Sequence, residues 1–356
     1  MMKRILFAIA FGLAGLVGPA LPREVYTFPA PNGESEVLTI EASADLSAME
    51  PLIRDFQVLE PTVSVHFADS LTNDVFAAAL RACRSGEVFA DLMITSSVDH
   101  VAKLTNDGCA QRHESALTQQ VPDWANWRNE AFGFTFEPAV IVFNRDLVPQ
   151  ENVPLTRNGL VELLRQQPDV YNGRVGTYDI TQSGIGYLYA FFDAEQSSVF
   201  GRLLEGFGRA DAVLASTTGA ILDAIETGEV LIGYNLLGSY AYARLAAGAP
   251  IGIVLPHDYT IVLSRAVLIP PHAENRAAGE RFLDYLLSER GQTVSARSAF
   301  FFRFDSPPPE GVLAADAAQG ATFYRPIVLG PSLLVTLDQA KRRQFLDDWQ
   351  DAVSPQ

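Results

Sequence analysis

Apolar and polar positions alternate along the first half of the chain as a repeated unit. Val37, Leu38 and Ile40 mark a strand over 37–42, and Met49, Leu52, Ile53 and Phe56 recur at helical spacing over 46–59. A second strand over 63–67 precedes a helix over 73–84, for which Thr72 suits the N-cap position. A third strand over 90–95 precedes a helix that ends near Gly108. Strand and helix thus alternate three times across short polar corners, which predicts a parallel sheet. Residues 21–36 are Pro-rich and carry no pattern, so they read as a leader. Trp124, Trp127, Phe132, Phe134 and Phe136 predict packing or a wall, and a strand over 139–143 ends at Asn144.

The second half follows the same order. A helix over 160–165, a strand over 173–178 and a Gly/Ser corner lead into a helix over 187–194. A strand over 213–215 and the corner 216–219 open a helix that runs through Thr227. The stretch from Gly228 to Pro270 reads as strand 230–232, polar loop 233–239, helix 240–247, strand 250–255, the corner His257-Asp258-Tyr259 and a long strand over 260–269. An amphipathic helix over 274–290 is predicted to stop at Gly291. Beyond it lie a Pro-rich connection over 303–310, a possible helix over 314–319, and helices from about 331 and over 338–349. No internal sequence repeat is visible. The pattern predicts two α/β lobes with ligand groups at the C-terminal edges of their strands.

The corners share a chemistry. Ser43, then Ser70 and Thr72, then Ser96 and Ser97 follow the first three strands, and Ser183-Gly184 and Thr218 open helices in the second half. A hydroxyl at a helix N-terminus either caps the unpaired N–H groups or helps them hold an anion. Capping is the ordinary role at any one corner, and recurrence along one sheet edge points to a binding face. Tyr234, Asn235, Ser239, Tyr240 and Tyr259 lie beside polar corners and are candidates for directional hydrogen bonds. Asn144 is a further candidate that serves equally as a turn residue, while Tyr242 and Tyr285 read as packing. Arg265 shares a strand face with Tyr259 and is either a counter-charge for ligand or part of an interlobe salt bridge. Arg174 and Arg244 read as solvated.

Composition narrows the function classes. With 356 residues, 48% hydrophobic and 19% charged, the chain is long enough for two globular domains. Its net charge of −16 argues against a nucleic-acid partner, yet leaves a small anion open, because local donors can outweigh the global field. Lys3 and Arg4, the apolar run 5–17 and Gly18-Pro19-Ala20 predict an export signal over 1–20 cleaved near Ala20; an uncleaved anchor is the alternative. Cleavage takes both basic residues and leaves −18. The mature chain is therefore expected to be soluble and periplasmic. Export makes a bridge between the two cysteines, Cys83 and Cys109, possible, and the sequence leaves it open. Neither cysteine has metal-ligand spacing, so neither a metal nor a cofactor is expected. There is no GxSxG, HExxH, P-loop or GxGxxG after a strand, and Asp179 and Asp258 have no spacing that marks an acid pair. No catalytic residue is assigned, and an exported hydrolase is the competing reading from another class.

Six segments in order carry a family resemblance: ADLMITSSVDHVAKLTNDG (90–108), AFGFTFEPAVIVFN (131–144), YDITQSGIGY (178–187), GEVLIGYNLLGSYAYARL (228–245), DYTIVLSRAVLIP (258–270) and FLDYLLSERGQ (282–292). Together they resemble the periplasmic solute-binding proteins of ABC importers, of the type II group that takes iron or phosphate esters. The relatives closest in character are likened to a phosphoglycerate-transport component. The resemblance implies an α/β fold of two lobes joined by two crossing strands, near 139–144 and 259–263. Lobe 1 would hold 37–140 plus 264–356 and lobe 2 would hold 141–263, with solute in the cleft between them. It also implies an ABC permease as partner, a membrane sensor kinase as an alternative partner, and a monomer.

Iron-binding members use two adjacent tyrosines where this chain has Tyr240-Ala241. Tyr242 does not replace the second, since residues two apart on a helix point about 200° around its axis. Iron is demoted on that ground, although Tyr234, Tyr240 and Tyr259 could still converge. The favoured solute is a small anion held by Ser43, Thr72, Ser96, Ser97, Asn144, Ser183, Gly184, Tyr234, Asn235, Ser239, Tyr240 and Tyr259.

Overall fold

The computed structural model describes residues 24–297, 312–313 and 323–354. The expected export signal, the Pro-rich connection and the helix over 314–319 lie outside the described residues.

In chain order the first sheet begins with β1 (Glu24–Phe28), β2 (Glu36–Ala42), β3 (Val63–Asp69) and β4 (Leu92–Thr95). Helices α1 (Leu46–Leu59), α2 (Thr72–Ser85) and α3 (Val98–Asn106) follow β2, β3 and β4. β2 pairs parallel with both β3 and β4, as the βαβαβα pattern predicts. Burial makes the reason plain: Leu38, Ile40, Val63, Val65, Leu92 and Ile94 pack against Met49, Leu52, Ile53 and Phe56 of α1 and the neighbouring helices in one apolar core. Residues 21–36 are not all leader. Val25, Tyr26 and Phe28 favour extended backbone, and β1 joins the sheet antiparallel to β3. Strands β5 (Asn126–Trp127) and β6 (Ala131–Gly133) complete this side.

The chain then enters the second sheet through β7 (Glu137–Asn144), followed by α4 (Arg157–Gln166), α5 (Pro168–Tyr171), β8 (Val175–Tyr178), α6 (Gly184–Gln196) and α7 (Phe200–Arg209). Next come β9 (Val213–Ala215), α8 (Thr218–Glu226), β10 (Ile232–Leu237), α9 (Gly238–Ala246), β11 (Ile251–Val254) and β12 (Thr260–Leu263). β13 (Ala266–Leu268) returns to the first sheet. The seven-stranded first sheet has the order β1-β3-β2-β4-β13-β6-β5. The eight-stranded second sheet is built around β11-β7-β10-β8-β9. The two crossings therefore fall just before β7 and between β12 and β13, so the expected long strand over 260–269 is two strands belonging to different sheets.

Three further expectations are corrected. The polar loop over 233–239 is mostly strand β10, with a bulge between Gly233 and Leu236 that gives Asn235 a φ of 58°. Gly291 does not stop a helix. α10 (Arg276–Leu287) ends at Ser288, and Gly291 lies inside α11 (Glu289–Arg297), where a Cβ would come within 2.0 Å of the Tyr285 carbonyl oxygen. Residues 264–356 do not all belong to the first lobe. Strands β14 (Val312–Leu313) and β15 (Tyr324–Pro326) pair with β11 and β12 of the second sheet. The 3-10 segment Pro331–Leu337 then packs on α3, and the last helix, α12 (Gln339–Val353), packs on α7. Thr336 joins the two sides there, its Oγ1 donating to Asp99 Oδ2 at 3.2 Å and its carbonyl accepting from Tyr187 OH at 2.8 Å.

Cys83 at the end of α2 and Cys109 just past α3 form a disulfide, with Cα atoms 5.6 Å apart. No described helix is long and apolar enough to cross a membrane.

Candidate functional site

The corners after β2, β3 and β4 and those after β8, β9 and β10 line one cleft of about 850 Å3. Ser43, Ser70, Thr72, Ser96, Ser183, Ser216, Thr217, Thr218 and Tyr240 are all on its wall, as is Arg265 at the second crossing. This is the location that the C-terminal strand edges of an α/β sheet favour for ligands.

The hydroxyl corners on the two sides are used differently. On the second side, Ser183 accepts from Gly186 N at 3.2 Å and Thr217 from Ala220 N at 3.2 Å, so α6 and α8 are capped by their own corners. On the first side α1, α2 and α3 have no side-chain cap. The N-cap of α2 is Leu71 and not Thr72, which is its first helical residue. Thr72 Oγ1 instead accepts from Gly184 N across the cleft at 2.9 Å. Ser43 Oγ donates to Thr95 Oγ1 at 2.9 Å. Ser97 Oγ is buried without a partner. Ser96 is 2% exposed and lines the cleft, and its Oγ has no hydrogen-bond partner among the described residues. Helix α9 also lacks a side-chain cap, starting from Leu237. Helix starts without side-chain caps therefore line the cleft, those of α1, α2 and α3 from the first side and that of α9 from the second, beside the Ser96 hydroxyl.

Contacts across the cleft hold the two sides together. Asn73 Nδ2 donates to the Gln182 carbonyl at 2.8 Å, and Asp45 N donates to Tyr240 OH at 3.3 Å. Gly184 fits here because a Cβ would meet Ser97 Oγ at 2.6 Å and Thr72 Oγ1 at 2.8 Å. At the crossing, Arg265 is fully buried and pairs with Glu137 through Nε at 3.0 Å, while its Nη1 donates to the Ser43 carbonyl at 2.6 Å. Arg265 is thus a salt bridge between the crossing strands and a wall of the cleft at once. Burial works against its charge, but Glu137 and Tyr240 hold it protonated, with its pKa above the ordinary arginine value. Burial raises the Tyr240 phenol, and Arg265 opposes that shift.

Five residues expected at the site are engaged elsewhere. Tyr234, Asn235 and Tyr259 turn into the second lobe, onto Asp193 of α6. Tyr259 OH donates to Asp193 Oδ1 at 2.6 Å, Asn235 Nδ2 to Oδ2 at 2.9 Å, and Tyr234 OH to Oδ2. Arg157 completes the group, with Nε 2.7 Å from Asp193 Oδ1 and its guanidinium 3.6 Å from the Tyr259 ring centre. A carboxylate buried on an apolar helix needs this many donors, and it takes them from the nearest tyrosines. Ser239 Oγ donates to Glu137 Oε2 at 2.6 Å. Asn144 is a turn residue: its Oδ1 accepts from Asp146 N and Leu147 N, and its Nδ2 donates to the Ile225 carbonyl. Arg244 is not simply solvated but pairs with Asp223 and Glu226. Sequence reasoning missed Asp193, Arg157 and Glu137. The available signal was a lone acid in the otherwise apolar run YLYAFFDA of α6.

No group of three or more His, Cys, Asp or Glu side chains among the described residues is placed to hold a metal ion. Burial also raises the phenols of Tyr234 and Tyr259, which works against the phenolate that an iron ligand must be.

Comparison with known proteins fits this geometry. The family model for bacterial extracellular solute-binding proteins matches residues 38–300. No curated protein matches the chain. Among solved structures, the substrate-binding protein of an ABC transporter from Agrobacterium tumefaciens is 38% identical, with 94% of this chain and 100% of that chain covered and a TM-score of 0.86. Iron-bound HitA from Pseudomonas aeruginosa has 16% identity, 89% and 99% coverage and a TM-score of 0.68. The periplasmic binding protein AfuA from Actinobacillus pleuropneumoniae, with fructose-6-phosphate bound, has 16% identity, 90% and 100% coverage and a TM-score of 0.69. The last two share the two-lobe periplasmic binding fold. With the family model spanning most of its length and an ABC-transporter relative matching nearly all of it, the chain belongs to the bacterial extracellular solute-binding proteins.

Proposed function

We propose that the protein captures a small solute bearing an anionic group in the cleft between its lobes and delivers it to the permease of an ABC importer. One observation carries this reading: uncapped helix starts and the unpartnered Ser96 hydroxyl meet on the wall of the same cleft. Backbone N–H groups and a hydroxyl stabilise negative charge without needing a free cation. In this reading Ser43, Thr72, Ser96, Ser183, Gly184 and Tyr240 surround the solute, and Ser97 lies just behind them. Residues 1–20 direct export, and the mature protein works in the periplasm.

Thermal unfolding of the mature protein tests it. A panel of phosphate esters, carboxylates, polyols and ferric ion is expected to yield an anion that raises the melting temperature, because it binds only the native form. Saturation to about 100 Kd adds about 2.7 kcal/mol. No shift with any member overturns the reading. Ferric citrate is expected to leave the protein colourless, and a visible phenolate–iron band would restore iron as the solute.

A further inference from the structure

The cleft is larger than an ion requires and has a direction. Its volume of about 850 Å3 is in the range of sites that take drug-sized molecules. From the helix starts its wall continues along α2 through Asp74, Ala77, Ala78 and Arg81 to Glu87, Val88 and Phe89. Asp74, Ala78 and Arg81 recur at spacings of four and three, so they form one stripe of the helix. From Thr72 to Ala82 the axis runs about 15 Å at 1.5 Å per residue. The middle of this groove is floored by alanine methyls, and Val88 at its far end is 52% exposed. The near end holds the polar groups: Ser96, 2% exposed and with an unpartnered hydroxyl, and Arg265.

Charge sets a second limit. The cleft carboxylates Glu41, Asp45, Asp69, Asp74 and Glu87 outnumber its two guanidiniums, and one of those, Arg265, is paired with Glu137. A second negative group on the solute's body would meet Asp74 and Glu87, with Arg81 alone among the lining residues there to offset them.

We propose that the solute is an extended organic anion with a single acidic group: one carboxylate or phosphate-monoester head at Ser96 and the helix starts, carried on an otherwise uncharged body that lies along the Ala77–Ala78 face of α2. The inference rests on the function proposed above and specifies its solute class. Ala77 and Ala78 are then specificity residues that set how long and how wide the body can be, without touching the head.

Isothermal titration of the mature protein tests this with two graded series, acetate to decanoate and inorganic phosphate to octyl phosphate, and with dicarboxylates of matched length. Affinity is expected to rise at least about tenfold from the shortest to a mid-length member of the preferred head series, since each buried methylene contributes about fourfold. The dicarboxylates are expected to bind more weakly than the monocarboxylates of equal length. Ala78→Leu keeps a strong helix former at that position and is expected to weaken the mid-length ligand about tenfold while leaving the shortest within twofold. Ala77→Leu serves on the same groove if the first variant does not fold. The series that gains with length identifies the head. Affinity that does not change with length, dicarboxylates that bind as well as the monocarboxylates, or groove variants that bind long ligands normally would each overturn the extended, singly headed anion. If short anions bind under those outcomes, the function proposed above stands without it. If no anion of any length binds, that function falls as well.

Discussion

The two lobes are built from the same unit, a strand, a hydroxyl-bearing corner and a helix, yet they use it in opposite ways. In lobe 2 the corner hydroxyls of Ser183 and Thr217 fold back onto their own helices. In lobe 1 the corresponding residues serve other partners: Ser43 bonds Thr95, Thr72 reaches across to Gly184, and Ser96 faces the cleft. Lobe 2 has therefore spent the corners before α6 and α8 on stability, while lobe 1 keeps the starts of α1, α2 and α3 available. The tyrosines divide within lobe 2 itself, because Tyr234 and Tyr259 close around Asp193 while Tyr240 meets Asp45 across the cleft. The residue type at a corner does not decide its role. What decides it is whether a nearby buried charge or unpaired N–H group competes for the hydroxyl.

The strongest test of this division removes the buried acid. Asp193→Asn leaves Arg157 without its fully buried partner and is expected to cost about 3–5 kcal/mol in denaturant unfolding. Variant protein that remains folded at low temperature should bind solute normally, and a selective loss of binding would place the lobe 2 tyrosines at the site after all. Cap removal comes next. Ser183→Ala and Thr217→Ala are each expected to lower stability by about 1 kcal/mol. Ser96→Ala should instead leave unfolding unchanged and weaken solute binding about fivefold, the equivalent of one hydrogen bond of about 1 kcal/mol. If the three variants behave alike, the contrast between the lobes is lost. Tyr240→Phe removes the acceptor for Asp45 N, with an expected loss of about 1 kcal/mol in binding free energy by titration and little change in the stability of either lobe.

The smallest effect is a pH dependence within lobe 1. His100 of α3 is buried against the Phe76 ring, with Asp99 and Arg342 as its charged neighbours. Burial pushes its pKa below the ordinary 6.5, partly offset by Asp99. The unfolded chain therefore takes up this proton first as pH falls. The stability contributed by neutral His100 is present above 6.5 and lost on acidification towards the lowered folded value. His100→Gln should flatten that part of the stability profile, and an unchanged slope would assign it to other groups.

The sequence made the order of strands and helices legible because each core face repeats cleanly, as in Leu38 and Ile40 of β2 against Leu52, Ile53 and Phe56 of α1. It also located the cleft-lining corners at Ser43, Thr72, Ser96 and Ser183. It could not reveal where those hydroxyls turn, since that depends on partners far along the chain: Thr72 meets Gly184, 112 residues away. The Asp193 cluster was hidden for the same reason. Its donors come from β10, the corner before β12 and the start of α4, and only the folded lobe brings them to one carboxylate. The Asn235 bulge escaped because a polar Tyr-Asn pair inside an apolar strand has the composition of a loop.

The C-terminal passage also has a mechanical meaning. Two adjacent crossing strands would let the lobes twist as well as bend. Thr336 adds a tether away from them, held by Asp99 on one lobe and Tyr187 on the other. With that third point fixed, we expect opening to follow a single arc, so that every molecule in a population presents the same shape to its membrane partner. Spin labels placed on the two lobes should then report a narrow distance distribution, which Thr336→Val broadens.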